Sequence, residues 1–278
     1  MRKRHMSYAA ALALAVAMAV PASASAVNDQ NIEAGFQPQK NANVVFGQPA
    51  NLSDQFSKNG TLRVNLFFSD IQGTPPALDV VDIHLPEEVK VTTKGLAECS
   101  PSQIEGQPPE AASAACNKAQ VGNGLATALG LTAQGDALLF NGTKQNGNPT
   151  LLAHIFTANV PIVLVAEIQN SPLGSPYGKA LHTPVSTSAG GAVPPGIVVT
   201  RTEFTQISKT FKDKKLLKKA KKAKKQGNTK KYKKLKKKAK RTFLSAKCTD
   251  GTLSYRADFD HAPPAPDQSP TYEQPCTS

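Results

Sequence analysis

From residue 43 onward, short apolar runs alternate with turn-forming clusters and no amphipathic helix stands between them. This constrains the fold more than any other feature. Leu62-Arg63-Val64-Asn65-Leu66 puts every second side chain on one apolar face, and Val81-Asp82-Ile83-His84-Leu85 repeats the alternation before Pro86 stops it. Further runs fall at 124–131, 137–140, 151–156, 162–168, 197–201, 242–246 and 253–259. Between them, Asn141-Gly142, Asn146-Gly147-Asn148-Pro149, Ser171-Pro172-Leu173-Gly174 and residues 190–195 carry what turns require. A βαβ plan would need periodic helical segments between the strands. The pattern therefore predicts an all-β domain, an antiparallel β-sandwich of Ig-like or jelly-roll-like type. The absence of Trp, with 21 Pro and 19 Gly, suits short strands and many turns.

The amino-terminal stretch is of another kind. Met1-Arg2-Lys3-Arg4-His5 precedes an apolar run at 8–20, then Pro21 and the small series Ala22-Ser23-Ala24-Ser25-Ala26. That three-part layout predicts a signal peptide over 1–26, cut before Val27. A bilayer-spanning helix needs roughly 20 apolar residues, so the run is too short for an anchor, and no longer run follows it. No Cys stands directly after it in 21–26 either, which argues against a lipoprotein. The mature chain is thus expected outside the cytoplasm, secreted or associated with the cell envelope. Its expected organisation is a flexible segment at 27–42 and a sandwich domain at 43–278.

Four cysteines remain in that chain, Cys99, Cys116, Cys248 and Cys276. In an oxidising compartment an even count points to disulfides, and three connectivities are open. Nearness in sequence favours Cys99 with Cys116 and Cys248 with Cys276. Zinc would need closely spaced ligands such as C-x-x-C, and none is present.

One insertion interrupts the domain. Residues 212–241 hold 17 Lys and one Arg against the single acid Asp213, a net charge of +17, while the whole chain is +13. The rest is mildly acidic, so the basicity is local. Leu216, Ala220 and Ala223 share one helical face, as do Tyr232, Leu235 and Ala239, with Gln226-Gly227-Asn228-Thr229 between them. These halves predict a helical hairpin. Lysines repeat at i,i+4, as in Lys214/Lys218 and Lys233/Lys237, each pair costing about 0.2 to 0.5 kcal/mol, so the segment is expected to fray or be disordered until an anion neutralises it. Candidate polyanion-binding residues are Lys214, Lys215, Lys218, Lys219, Lys221, Lys222, Lys224, Lys225, Lys230, Lys231, Lys233, Lys234, Lys236, Lys237, Lys238 and Lys240. Lysine supplies point charges without a bidentate fork, so recognition is expected to be salt-sensitive and blind to sequence.

Catalytic motifs are missing. There is no G-x-S-x-G, no H-E-x-x-H and no P-loop. His84 and His154 fall on strand positions and read as surface or satisfied strand residues; His182 and His261 lie in loop-like surroundings. Glu87-Glu88 reads as a solvated strand end, and Gly122-Asn123-Gly124 as a tight turn after Cys116. No cofactor or metal is expected.

The order of features from Leu78 to Cys276 resembles a group of uncharacterised exported proteins of high-GC Gram-positive bacteria. The resemblance rests on Leu85-Pro86, then Lys94-Gly95-Leu96 with Cys99, then 116–124, which reads CNKAQVGNG, and finally Cys248, Gly251-Thr252-Leu253 and Cys276. It implies a secreted β-rich domain with two disulfides and no known activity. The expectation is therefore a non-enzymatic protein whose lysine segment meets an anionic wall polymer, an anionic lipid surface or extracellular DNA. An inert structural or adhesion module and a secreted hydrolase are the alternatives.

Overall fold

A computed structural model of the protein describes residues 28–39, 43–55, 57–70, 78–128, 134–157, 159–185, 199–263 and 266–277. The expected signal peptide at 1–26 and the turn cluster at 190–195 lie outside the described residues. The chain begins with β1 (Asn28–Gln37), β2 (Ala50–Asn51), β3 (Lys58–Asn59), β4 (Thr61–Asp70), β5 (Leu78–Pro86) and β6 (Val89–Val91). A single 3-10 turn and helix α1 (Pro109–Cys116) lead into a run of five strands. These are β7 (Gln120–Ala128), β8 (Gly135–Gln145), β9 (Asn148–Thr157), β10 (Val160–Asn170) and β11 (Tyr177–Pro184). After β12 (Val199–Ile207) come β13 (Thr210–Lys212), α2 (Lys214–Lys225), α3 (Thr229–Ala239) and β14 (Lys240–Thr242). The chain ends with β15 (Leu244–Ala246), β16 (Thr252–His261) and β17 (Thr271–Thr277).

Twelve strands form one sheet, in the order β1-β4-β12-β7-β8-β9-β10-β11-β5-β16-β17-β2, antiparallel except at the parallel β17–β2 edge. Its two ends approach each other, and the sheet nearly closes into a barrel. The all-β, mostly antiparallel expectation holds; two separate facing sheets are not confirmed. The reason is connectivity. β7 to β11 pair in sequence as a meander, so no strand leaves to start a second layer.

The period-2 pattern decides what lies inside. Ile32, Ala34 and Phe36 of β1, Leu62, Val64, Leu66 and Phe68 of β4, and Leu253, Tyr255, Ala257 and Phe259 of β16 share one core. The Phe68 and Phe259 rings meet edge to face at 5.5 Å. Within the segment 27–42, expected to be flexible, residues 28–37 instead form a full-length strand whose Ile32, Ala34 and Phe36 are completely buried.

No backbone ladder joins β1 to β17 where the sheet comes round. Side-chain amides stand in for one. The Gln274 Oε1 accepts from Phe36 N at 2.8 Å, its Nε2 donates to Phe36 O at 3.1 Å and to Gln48 O at 2.9 Å, and Gln268 Oε1 accepts from Gln30 N at 3.1 Å. Buried backbone groups are costly to leave unpaired, so these bonds close the seam at its weakest line.

Both expected disulfides form. Cys99–Cys116 fastens the α1 flap over the outer face of β8, β9 and β10, where Ile104, Ala112 and Ala119 pack on Phe140, Leu152 and Val165. Cys248–Cys276 ties the end of β17 to the loop before β16. Gly122 and Gly124 do not make the expected turn but lie inside β7, where β12 comes so close that a Cβ on Gly124 would meet the Glu203 carbonyl at 1.8 Å. Asn141-Gly142 likewise runs on inside β8, beside a bridge to Cys99, whereas Asn146-Gly147, at φ 49° and 83°, turns the β8–β9 hairpin as expected.

Candidate functional site

The lysine segment leaves the barrel through a neck. β13 and β14 pair antiparallel, Lys212 opposite Lys240, and the two helices stand on this two-stranded stem. The segment expected to fray or lose order is helical, and local devices favour that state. Asp213 caps α2, accepting from Leu216 N at 3.0 Å, and Asn228 caps α3, accepting from Lys231 N at 2.9 Å. Gly227, at φ 73°, supplies the left-handed residue of the connection. Ala220, Ala223 and Ala239 are buried with Leu216, Tyr232 and Leu235 half-buried, so small side chains let the helices approach closely.

Asp213 carries the logic of the stem. It is the one acid of the insertion, yet it is buried at the root, where its backbone N–H donates to Ala239 O at 2.8 Å and its carboxylate meets Arg241 Nη2 at 3.3 Å. Gly95, at φ 88°, approaches it so closely that a Cβ there would touch the carboxyl carbon at 3.0 Å. The acid thus holds the stem and screens little of the arms. All sixteen candidate lysines, from Lys214 to Lys240, are exposed. Lys224 and Lys236 reach to 5.7 and 5.8 Å from the Tyr232 ring centre, weak cation–π contacts that orient two of the ammoniums.

At the root, between α3, the neck and β3, lies a cleft of about 420 Å³ lined by Lys209, Lys237, Lys240 and Arg241, with Thr210 and Thr242. None of its nine lining residues is acidic. Of these, Lys209 and Arg241 are half-buried, whereas Lys237 and Lys240 are exposed. The pattern of residues 212–241 pointed to the arms; Lys209 lay outside it, and only the folded stem brings it to Lys237.

The histidines are placed differently from the sequence expectation. His182 is not in a loop but in β11, its Nδ1 2.8 Å from Asp82 of β5, and His261 ends β16, buried, with Nε2 2.6 Å from Gln30 Nε2. Gly178 and two flanking prolines hide β11 in the sequence; its pairing with both β10 and β5 overrides them. Glu88, expected at a solvated end, is buried and accepts from the Thr249 hydroxyl. His84 and His154 are both buried strand residues; among the described residues His84 is bonded through both ring nitrogens, His154 through Nε2 alone.

One polar chain on the outer face has the composition of a hydrolytic triad. His84 Nδ1 lies 2.9 Å from Ser171 Oγ and His84 Nε2 lies 2.9 Å from Asp258 Oδ2. Burial would raise the Asp258 carboxyl, but hydrogen bonds from Ser269 and Arg256, with the charges of Arg256 and His84, outweigh it and hold it below the usual carboxylate range. The geometry suits a structural cross-brace equally well. His84 is 1% exposed, and Ser171 Oγ already accepts from Leu173 N at 3.3 Å. Sequence reading passed over Ser171 as a turn residue and Asp258 as a strand residue, because the pairing of β5 with β16 brings Asp258 to one side of His84 and the pairing of β11 with β10 and β5 brings Ser171 to the other.

Among the described residues no group of three or more His, Cys, Asp or Glu is gathered for a metal ion, and no helix is long and apolar enough to cross a membrane. No protein-family model, no curated protein and no solved structure matches the chain.

Proposed function

We propose that this chain is an exported, non-enzymatic protein of the cell envelope whose helical hairpin binds polyanions. The observation that carries the reading is the display itself. Every lysine of both arms faces solvent while the only acid of the insertion is turned into the root. Near an anionic surface each lysine contributes about 1 kcal/mol, so even partial engagement of the arms retains the protein at low salt. The two disulfides support an extracellular setting.

The test compares the full chain with a variant in which 213–239 is replaced by an Asn-Gly turn joining Lys212 to Lys240. Retention on cell-wall preparations is expected for the full chain, falling steeply as salt rises, and is expected to vanish in the variant. Equal retention of both proteins would favour the inert structural or adhesion module instead.

The Ser171–His84–Asp258 chain favours a second reading, that of a secreted hydrolase. An ester-substrate panel decides it. Turnover abolished by Ser171→Ala, in a protein that melts as the wild type does, would establish the enzyme; no turnover by the wild type would leave the chain as a cross-brace.

A further inference from the structure

We propose that the cleft at the root of the hairpin is a discrete phosphodiester site that seats one phosphate of a single-file polymer. The inference rests on the polyanion reading and locates where the polymer is gripped. Lys209, Lys237, Lys240 and Arg241 converge on a space of about 420 Å³ with no acid in its lining. Lys209, Lys237 and Lys240 bring three ammoniums to one cleft, while Arg241 already has a carboxylate partner, Asp213, outside the lining. Burial strengthens the case. Lys209 and Arg241 are half-buried, where charges are screened less by water and salt than on the open arms. Both are held in place, Lys209 Nζ by the Asn117 carbonyl at 3.1 Å and Arg241 by Asp213 at 3.3 Å, so little side-chain freedom is lost on binding. Thr210 adds a hydroxyl to the wall, while that of Thr242 is taken by Asn59.

The shape selects the class of polymer. A space of about 420 Å³ takes a single phosphate, which a thin flexible chain presents from any side and a flat bilayer or a rigid duplex presents only as part of a broad surface. Such a chain has a path outward. Lys237, Lys233 and Lys230 share one face of α3, about 5 to 6 Å apart, and form a row from the cleft toward the tip.

The test uses the full chain and two variants that each remove three charges. One is Lys209→Gln/Lys237→Gln/Lys240→Gln in the cleft, and the other is Lys218→Gln/Lys222→Gln/Lys225→Gln on α2. Titration with a poly(glycerol phosphate) oligomer is expected to cost the cleft variant about tenfold more affinity than the α2 variant. Duplex DNA and phosphatidylglycerol vesicles are expected to lose equally on both. If Lys209→Gln disturbs the fold, Lys237→Gln/Lys240→Gln, both exposed, is compared with Lys222→Gln/Lys225→Gln. Equal losses on the oligomer would reject the cleft and leave the polyanion reading standing. A cleft-specific loss on duplex or vesicles as large as on the oligomer would reject the single-file ligand. A wild type that binds none of the three probes would remove both readings together.

Discussion

At His154 the ring lies under the α1 flap, Nε2 2.9 Å from the Gln107 carbonyl and Nδ1 without a partner in the described structure. Burial is the main cause that lowers its pKa below the usual 6.5, against smaller opposing contributions from the backbone hydrogen bonds. The sign follows from linkage. Below about pH 6.5 the unfolded chain takes up a proton that the folded chain refuses, so stability falls as pH drops from there toward the folded value. Urea unfolding midpoints are expected to decline from pH 7 to pH 5 in the wild type, and less in His154→Gln. Identical decline in both proteins would assign the pH dependence elsewhere. The period-2 pattern had already put His154 on a strand; what it could not disclose was a flap from residues 99–119 closing over that face, since the contact joins segments distant in sequence.

Strands announced themselves in the sequence in proportion to how cleanly polar residues alternate with apolar ones. β4, β5 and β16 alternate apolar residues on the core face with polar ones on the other, and they were legible. β1 begins with Asn28-Asp29-Gln30-Asn31, which hides Ile32, Ala34 and Phe36, and β17 reads Thr-Tyr-Glu-Gln-Pro-Cys-Thr, an alternation in which the buried positions are Gln274 and Cys276. A buried glutamine looks like a surface residue until its role is seen. At the seam it replaces a ladder, and Gln274→Ala would leave Phe36 N and O without their partners, at a cost of about 1 to 3 kcal/mol. Denaturant titration measures that loss, and hydrogen exchange at the Phe36 amide is expected to quicken with it. Unchanged exchange would mean that water replaces the amide without cost. The two Asn-Gly pairs carry a related lesson. Asn146-Gly147 turns because both residues take positive φ between paired strands, whereas at Gly142 a Cβ would meet Thr150 Oγ1 at 2.2 Å, so that glycine serves close strand packing.

Over the whole molecule, composition and spacing disclosed an all-β chain, two cysteine pairs and a charged insertion, all of which depend on neighbours in sequence. Closure of the sheet was not legible, because it depends on β1 meeting β16 and β17, more than two hundred residues away along the chain. The same holds for the basic cleft, whose parts come from β3, the β12–β13 link, α3 and β14. The hairpin is the opposite case, local in origin and independent of the barrel core. Its first and last residues sit opposite each other in the neck, so the barrel registers the excursion as little more than a tight turn. Such a stem is a natural grafting point: arms of another length, charge or affinity would fit on the same two-stranded base while every barrel contact stayed as it is.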